Sequence, residues 1–201
     1  MTRLFRLVIK LPSKNSKNRS VRRADVDYLH NIVECAINSG MRKEEILSLR
    51  WDQIRDGMIY LKKTKSNKKR QVPINNTLAE LFRLIRKKQG LTSEYVFVYQ
   101  SKRIKDVKTA YNAALKRAGI LDANFHTLRH TFASHFVMRG GSLKALQEIL
   151  GHTTLTMTMK YAHLAPGHKR QAINRLNGLT TKKADGHKMV TFSEAQNVAI
   201  S

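Results

Sequence analysis

The chain has 201 residues, 41% of them apolar, enough for one good-sized domain or two small ones with a real core. Its 38 lysines and arginines against 14 acids leave a net charge of +24, far beyond what solubility requires, so a polyanion is the expected partner. Nucleic acid ranks ahead of an acidic membrane, because no amphipathic stretch has the bulky apolar face that enters lipid and no run approaches the roughly 18 apolar residues of a membrane span.

The opening MTRLFRLVIKLPSKN mimics a signal peptide, but Arg6 and Lys10 interrupt the apolar run and no small-residue cleavage site follows, so it reads as a linker or docking strand. PSKNSKNRSVRR is polar, basic and aperiodic, a connector whose Lys14, Lys17, Arg19, Arg22 and Arg23 can follow a phosphate backbone. Val26, Leu29, Ile32, Val33, Ala36 and Ile37 then recur at helical spacing, with Asp25 as a start cap and Gly40 as a stop. Cys35, the single cysteine, falls in this stripe, which suits a buried thiol in a reducing cytoplasmic compartment.

RKEEILSLRW predicts a short helix that turns Ile46, Leu47 and Leu49 to a core and holds Arg42 at its amino-terminal edge. MIYLKK and RQVPI are strands of a hairpin around the polar turn TKSNKK, where Lys68, Lys69 and Arg70 add DNA-facing cations. Helical spacing returns at TLAELFRLIRKK. After a possible strand YVFVY it recurs at Val107, Ala110, Tyr111, Ala114, Leu115 and Ala118. A helix is predicted from Thr127 to Met138, broken at RGG, resuming through Leu143, Leu146, Ile149 and Leu150, and broken again at Gly151. Another helix should carry Tyr161, and one more should run over about 166–176. The architecture is therefore mainly α with a small antiparallel β-sheet. Residues 180–201 read as a tail, disordered or ordered only against a partner.

HTLRHTFASHFVMRGGSLKALQEILGHTTLTMTMKYAHLAP gathers imidazoles, guanidinium and a phenol. A metal fits poorly: His126 and His130 share a helical face, but Thr127 stands where a zinc protease needs Glu, and Arg129 repels a cation. A serine hydrolase lacks its nucleophile elbow. A phosphodiester fits, because phosphoryl transfer asks for fixed positive donors around non-bridging oxygens and arginine can bind two at once. Arg42 and Arg129 are the pair. His126, three residues from Arg129, and His152, beyond the glycine break, can donate hydrogen bonds or shuttle a proton. Tyr161 is the candidate nucleophile, a phenol expected to ionise more easily among cations.

These residues resemble the catalytic domain of the tyrosine site-specific recombinases, the phage integrase and Xer-type group, over roughly residues 25–177. SGMRKEEILSLRW looks like that family's first arginine box, HTLRHTFASH its His-x-x-Arg box, and LGHTTLTMTMKYAHL its final histidine and nucleophile box. The resemblance implies the tyrosine recombinase catalytic-domain fold over residues 24–179, preceded by a basic linker or docking segment, 1–23. It implies a phosphate clamp of Arg42 and Arg129, proton-transfer and hydrogen-bonding partners His126 and His152, and Tyr161 as nucleophile. Lys65 matches the hairpin lysine that protonates the leaving 5′ oxygen, Glu45 matches an acid that braces a helix or an arginine, and His130 is a supporting group. The implied reaction is DNA cleavage to a 3′-phosphotyrosyl bond and rejoining to a partner strand, with no metal and no nucleotide cofactor. It would run in a homotetramer on DNA built from a protein monomeric in solution, associated with the nucleoid, with the tail reaching a neighbouring subunit. A DNA-binding remnant or regulator of the same fold without turnover is the alternative. Full-length family members also carry an amino-terminal helical DNA-clamping domain, which is not expected to fit in about the first 20 residues.

Overall fold

The computed structural model describes residues 23–61, 69–90, 92–165, 173–174 and 177, with backbone alone for 23–27. Two compact units divide the chain, Met1–Pro166 and Gly167–Ser201, and the strands described all lie in the first. Helix α1, Arg23–Ser39, begins two residues before Asp25, so that residue lies inside the helix instead of capping it. Its inward face, Leu29, Ile32, Val33, Cys35 and Ala36, is buried. Burial pushes the Cys35 thiol up to about 12, against a smaller opposing effect of Ser39, which makes it an inert core group. The helix stops at Gly40, whose φ of +63° reverses the chain and sends it, extended, into Arg42.

Helix α2, Lys43–Leu47, buries Ile46 and Leu47, and Leu49 follows them into the core. A three-stranded antiparallel sheet comes next: β1, Ile54–Arg55; β2, Met58–Leu61; β3, Arg70–Pro73, in the order β1-β2-β3. The β2 and β3 strands are the expected hairpin, paired Ile59 to Val72 and Leu61 to Arg70. Strand β1 was not expected, although Asp56 and Gly57, at φ +52° and +69°, form the tight Asp-Gly turn that favours hairpins. Of the hairpin tip, only Lys69 and Arg70 are described.

Helix α3, Asn76–Gln89, is capped by Asn75, whose side chain accepts from Leu78 N, and it buries Leu78, Leu81, Phe82 and Ile85. The strand expected at YVFVY shrinks to β4, Val98–Tyr99, which pairs with β5, Lys102–Arg103, through Gln100 and Ser101 at positive φ; Val96 and Phe97 are core residues outside the ladder. Helix α4, Lys108–Arg117, presents Tyr111, Ala114 and Leu115 inward. Helix α5, Phe125–Met138, opens on a reciprocal cap in which Thr127 N donates to Asn124 Oδ1 and Asn124 N to Thr127 Oγ1. Helix α6, Leu143–Leu150, starts at a Ser142 cap and ends at Gly151 in the left-handed region.

The single helix expected around Tyr161 is two short turns: α7, Thr156–Met159, and a 3-10 turn, Ala162–Leu164, with Tyr161 between them. The helix expected over 166–176 falls largely outside the described residues, as do the connector and the tail. Helix α1 packs on α5 and α3, so that the Gly40 turn, the start of α5 and the end of α6 meet.

Gly40 is the least replaceable joint of this frame, since a Cβ there would overlap the Phe132 ring and come within 2.9 Å of Leu150 Cδ2, at a φ that L side chains rarely adopt. Gly40→Ala is expected to destabilise the domain by about 2 kcal/mol or more, from backbone strain and overpacking combined. A lowered denaturation midpoint at unchanged m-value is the expected readout.

Candidate active site

Arg42 occupies the cap position of α2. Glu45, one turn on, reaches back so that its Oε2 accepts from Arg42 N at 2.8 Å and its Oε1 from Arg42 Nη1 at 3.1 Å. From the other side Arg70 grips the same carboxylate by both arms, Nη1 to Oε1 at 2.8 Å and Nη2 to Oε2 at 2.7 Å. Burial alone would raise the Glu45 carboxyl, but the hydrogen bonds and charges of Arg70 and Arg42 outweigh it and hold it below the usual carboxylate range.

Arg129 is 4% exposed. Its Nη1 donates to Gly40 O at 2.8 Å and its Nη2 to Leu150 O at 2.7 Å, which anchors the side chain while using two of the five N–H bonds a guanidinium carries. Burial, with Arg42 and Arg70 nearby, brings its pKa down to about 10, so it remains a cation at neutral pH. A cleft of 570 Å³ runs along this edge, lined among others by Arg42, Lys108, Asn124, His126 and Arg129. The two arginines and His126 expected to act together thus share one opening.

The three histidines carry no settled charge of their own. Burial, then Arg129 and Lys160, lowers the pKa of His126; burial, then Lys160 and His126, lowers that of His130. His152 falls furthest, to about 4, through burial and the surrounding cations. Its Nδ1 lies 2.9 Å from Thr158 Oγ1, a buried hydroxyl of α7. The His126 and His130 rings meet edge to face at 4.7 Å.

Tyr161 is 6% exposed, packed with Ala133, Val137, Leu146 and Leu150. Its hydroxyl is 2.5 Å from His130 Nδ1, and Lys160 Nζ lies 5.1 Å from the ring centre. The expectation that neighbouring cations ease its ionisation is reversed. Burial raises the phenol's pKa, and Arg129 offsets this only in part, because a phenolate is poorly solvated among aliphatic side chains.

Arg70 also departs from expectation. It was grouped with solvent-facing DNA contacts, yet its side chain is 6% exposed and spent on Glu45 and on Ile149 O. Alternation explains this: Arg70 is in phase with buried Val72, whereas Gln71 and Pro73 face out. Lys69 is exposed as expected. Lys65, Lys68, Lys14, Lys17, Arg19 and Arg22 lie outside the described residues, and of Arg23 only the backbone, in α1, is described. Thr158, two residues into α7, and Lys160, just past its end, join the site without any signal in the sequence, because their spacing to His152 and Tyr161 follows no helical or strand period. Among the described residues no group of three His, Cys, Asp or Glu side chains could hold a metal, and no helix is long and apolar enough to cross a membrane.

The model of the phage integrase family matches residues 14–168. The integrase of Salmonella phage P22 is 36% identical over 169 residues, 75% of this chain and 43% of that protein. The chain thus spans under half the length of that relative. The solved catalytic domain of bacteriophage HP1 integrase superposes with a TM-score of 0.64 at 33% identity, covering 90% of this chain and 94% of that one. XerH recombinase bound to its palindromic difH substrate, in a post-cleavage complex, shares the fold at a TM-score of 0.62 and 19% identity, over 90% of this chain and 52% of that one.

The depressed pKa of His152 sets an acid limit. A group whose folded pKa lies below its unfolded value contributes stability that is complete above about pH 6.5 and is lost as pH falls toward 4. Denaturation midpoints measured across that window are expected to fall with pH in the wild type and to fall less steeply in His152→Gln.

Proposed function

The chain belongs to the phage integrase family, and from that premise we propose that it is a site-specific DNA strand transferase that cuts and rejoins duplex DNA through a 3′-phosphotyrosyl intermediate. The observation that carries this reading is the convergence, in one folded unit, of two anchored arginines and His126 on one cleft, with His152 and Tyr161 on the adjoining turns.

In the proposed reaction the Tyr161 hydroxyl oxygen attacks the scissile phosphorus, the P–O5′ bond breaks, and the 5′ oxygen leaves with a proton from Lys65, the role implied by the family pattern. Arg42 and Arg129 face the non-bridging oxygens, where charge builds as the phosphorus becomes five-coordinate. His126 and His152 add hydrogen bonds. His152 Nδ1 lies against the Thr158 hydroxyl, and the proposal assigns the tautomer in which Nδ1 accepts from it and Nε2 carries the proton as a neutral donor. Rejoining runs the same path backwards: a 5′ hydroxyl attacks the phosphotyrosine, and Tyr161 recovers its proton. The number of ester bonds is conserved, so the reaction needs no nucleotide hydrolysis, and in this proposal the two arginines supply the positive charge that a metal would otherwise provide.

His130 takes a more direct part here than that of a supporting group. Its Nδ1 is the polar atom against the Tyr161 hydroxyl, and its lowered pKa keeps it neutral, so it is suited to accept the phenolic proton as the oxygen attacks. This meets the difficulty that burial creates, since Tyr161 need never exist as a free phenolate.

DNA as substrate is supported by the net charge of +24 and by the DNA-bound XerH relative of the same fold. Assembly as a homotetramer on DNA, a cytoplasmic and nucleoid-associated setting, a catalytic unit of residues 24–179 flanked by a basic segment and a tail, and DNA contacts by the connector cations with Lys68 and Lys69 belong to the same proposal.

A nicked suicide duplex should trap a covalent protein–DNA adduct visible on a denaturing gel, absent in Tyr161→Phe and insensitive to chelator. Arg42→Ala and Arg129→Ala should each slow adduct formation by about 10²- to 10³-fold, the usual effect of deleting a transition-state donor. A wild-type protein that binds duplex steeply with salt yet yields no adduct would instead be the DNA-binding remnant.

The pH profile isolates His130. Adduct formation by the wild type should rise with pH through the imidazole pKa, below 6.5, and then level off. In His130→Gln that limb should vanish and the rate should climb toward the phenol's own range. An unchanged profile in the variant would return the proton-accepting role to His126.

A further inference from the structure

We propose that Arg70 is a positioning residue of the phosphodiester site, setting Arg42 through Glu45 and His152 through the end of α6, and not a DNA contact. This rests on the strand-transfer reading above and deepens it.

Strand geometry drives the side chain inward. Arg70 opposes Leu61, itself buried, at the root of the hairpin, and a guanidinium held there needs partners for its N–H groups. It finds them on two separate elements: both oxygens of Glu45, and Ile149 O by way of Nε at 2.9 Å. The carbonyls of the last helical turn lack intrahelical donors and sit at the negative end of the dipole. On α6 two of them in succession are taken by guanidinium groups, Ile149 O by Arg70 and Leu150 O by Arg129. The two arginines therefore hold one helix end between them, and His152 is the second residue beyond it.

Gly151 fits the same construction. A Cβ on it would stand 2.7 Å from Arg70 Cδ, so the glycine lets the arginine pass beneath the turn that delivers His152. On the other flank, Arg70 occupies both Glu45 oxygens at 2.7–2.8 Å, while the Arg42 side chain makes a single, longer bond of 3.1 Å to one of them. Arg42 is thereby steered by one arm. Without Arg70 the carboxylate would be free to take Arg42 by both arms, in competition with a phosphate for the same fork.

Two substitutions test this. Arg70→Lys keeps the charge and loses the planar fork; Arg70→Met removes both. Wild type and variants are compared for single-turnover cleavage of a saturated nicked duplex and for duplex affinity as a function of salt. Without DNA, they are also compared for inorganic phosphate binding followed by the arginine Nε–H resonances. Positioning predicts an unchanged salt slope in Arg70→Met and a cleavage rate lowered by about 10- to 100-fold in both variants, as when outer partners that orient site ligands are removed. Phosphate binding should weaken in both. Should Arg70→Met not fold, Arg70→Lys decides alone: full cleavage and phosphate binding in that variant would overturn the proposal. So would a slope in Arg70→Met reduced by about one phosphate with the saturated cleavage rate intact, the behaviour of a backbone contact. A wild type that makes no Tyr161 adduct would sink the strand-transfer reading, while the phosphate titration still decides the positioning role.

Discussion

The carboxylate of Glu45 is the constraint around which this strongly basic domain is arranged. Three guanidinium groups, from Arg42, Arg70 and Arg129, act on it by bond or by field. Like charges brought this close would repel one another, and the desolvation of Arg129 shows in its lowered pKa. One ionised acid, bound bidentately by Arg70, offsets part of that repulsion, and backbone carbonyls at Gly40, Ile149 and Leu150 each accept one further guanidinium N–H. What remains is a local excess of positive charge, facing a cleft, that an incoming anion would complete.

The same economy of charge separates the two kinds of polar group in the site. The arginines are fixed before any substrate arrives, since their bonds are to backbone and to Glu45, so a phosphate would meet donors already oriented. The imidazoles and the phenol, to which the proposal gives the proton transfers, are kept neutral instead. Burial and nearby cations depress the imidazoles, and burial raises the phenol of Tyr161. A neutral imidazole against a neutral phenol, as His130 stands against Tyr161, is a pair able to pass a proton without first building an isolated ion in an apolar cluster.

Short-range order was largely readable from residue pattern. The helical stripes through Leu29 to Ile37 and Leu78 to Ile85, the glycine stops at Gly40 and Gly151, and the β2–β3 hairpin all appear where spacing and turn chemistry put them. Departures from that pattern are of two kinds, one local and the others set by contacts remote in the chain. Strand β1 was overlooked although Asp56-Gly57 announces it, and YVFVY gave a two-residue strand because Val96 and Phe97 are drawn into the core instead of the ladder. Tyr161 sits between two short turns because Thr158 and the phenol are tied to His152 and His130, residues six and 31 positions away.

Sequence by itself determined most of the helices and the β2–β3 hairpin, that the partner should be an anion, and which side chains could serve phosphoryl transfer, because charge, periodicity and the order of the three boxes are properties of neighbours along the chain. Only the tertiary structure decided what those side chains are doing. Arg70 reads as one more cation of a basic hairpin until Glu45, 25 residues earlier, and Ile149, 79 residues later, close around it. Tyr161 reads as a phenol eased by cations until the aliphatic residues of α5 and α6 enclose it. In both, burial sets the free energy of a charge, and burial belongs to the packed molecule.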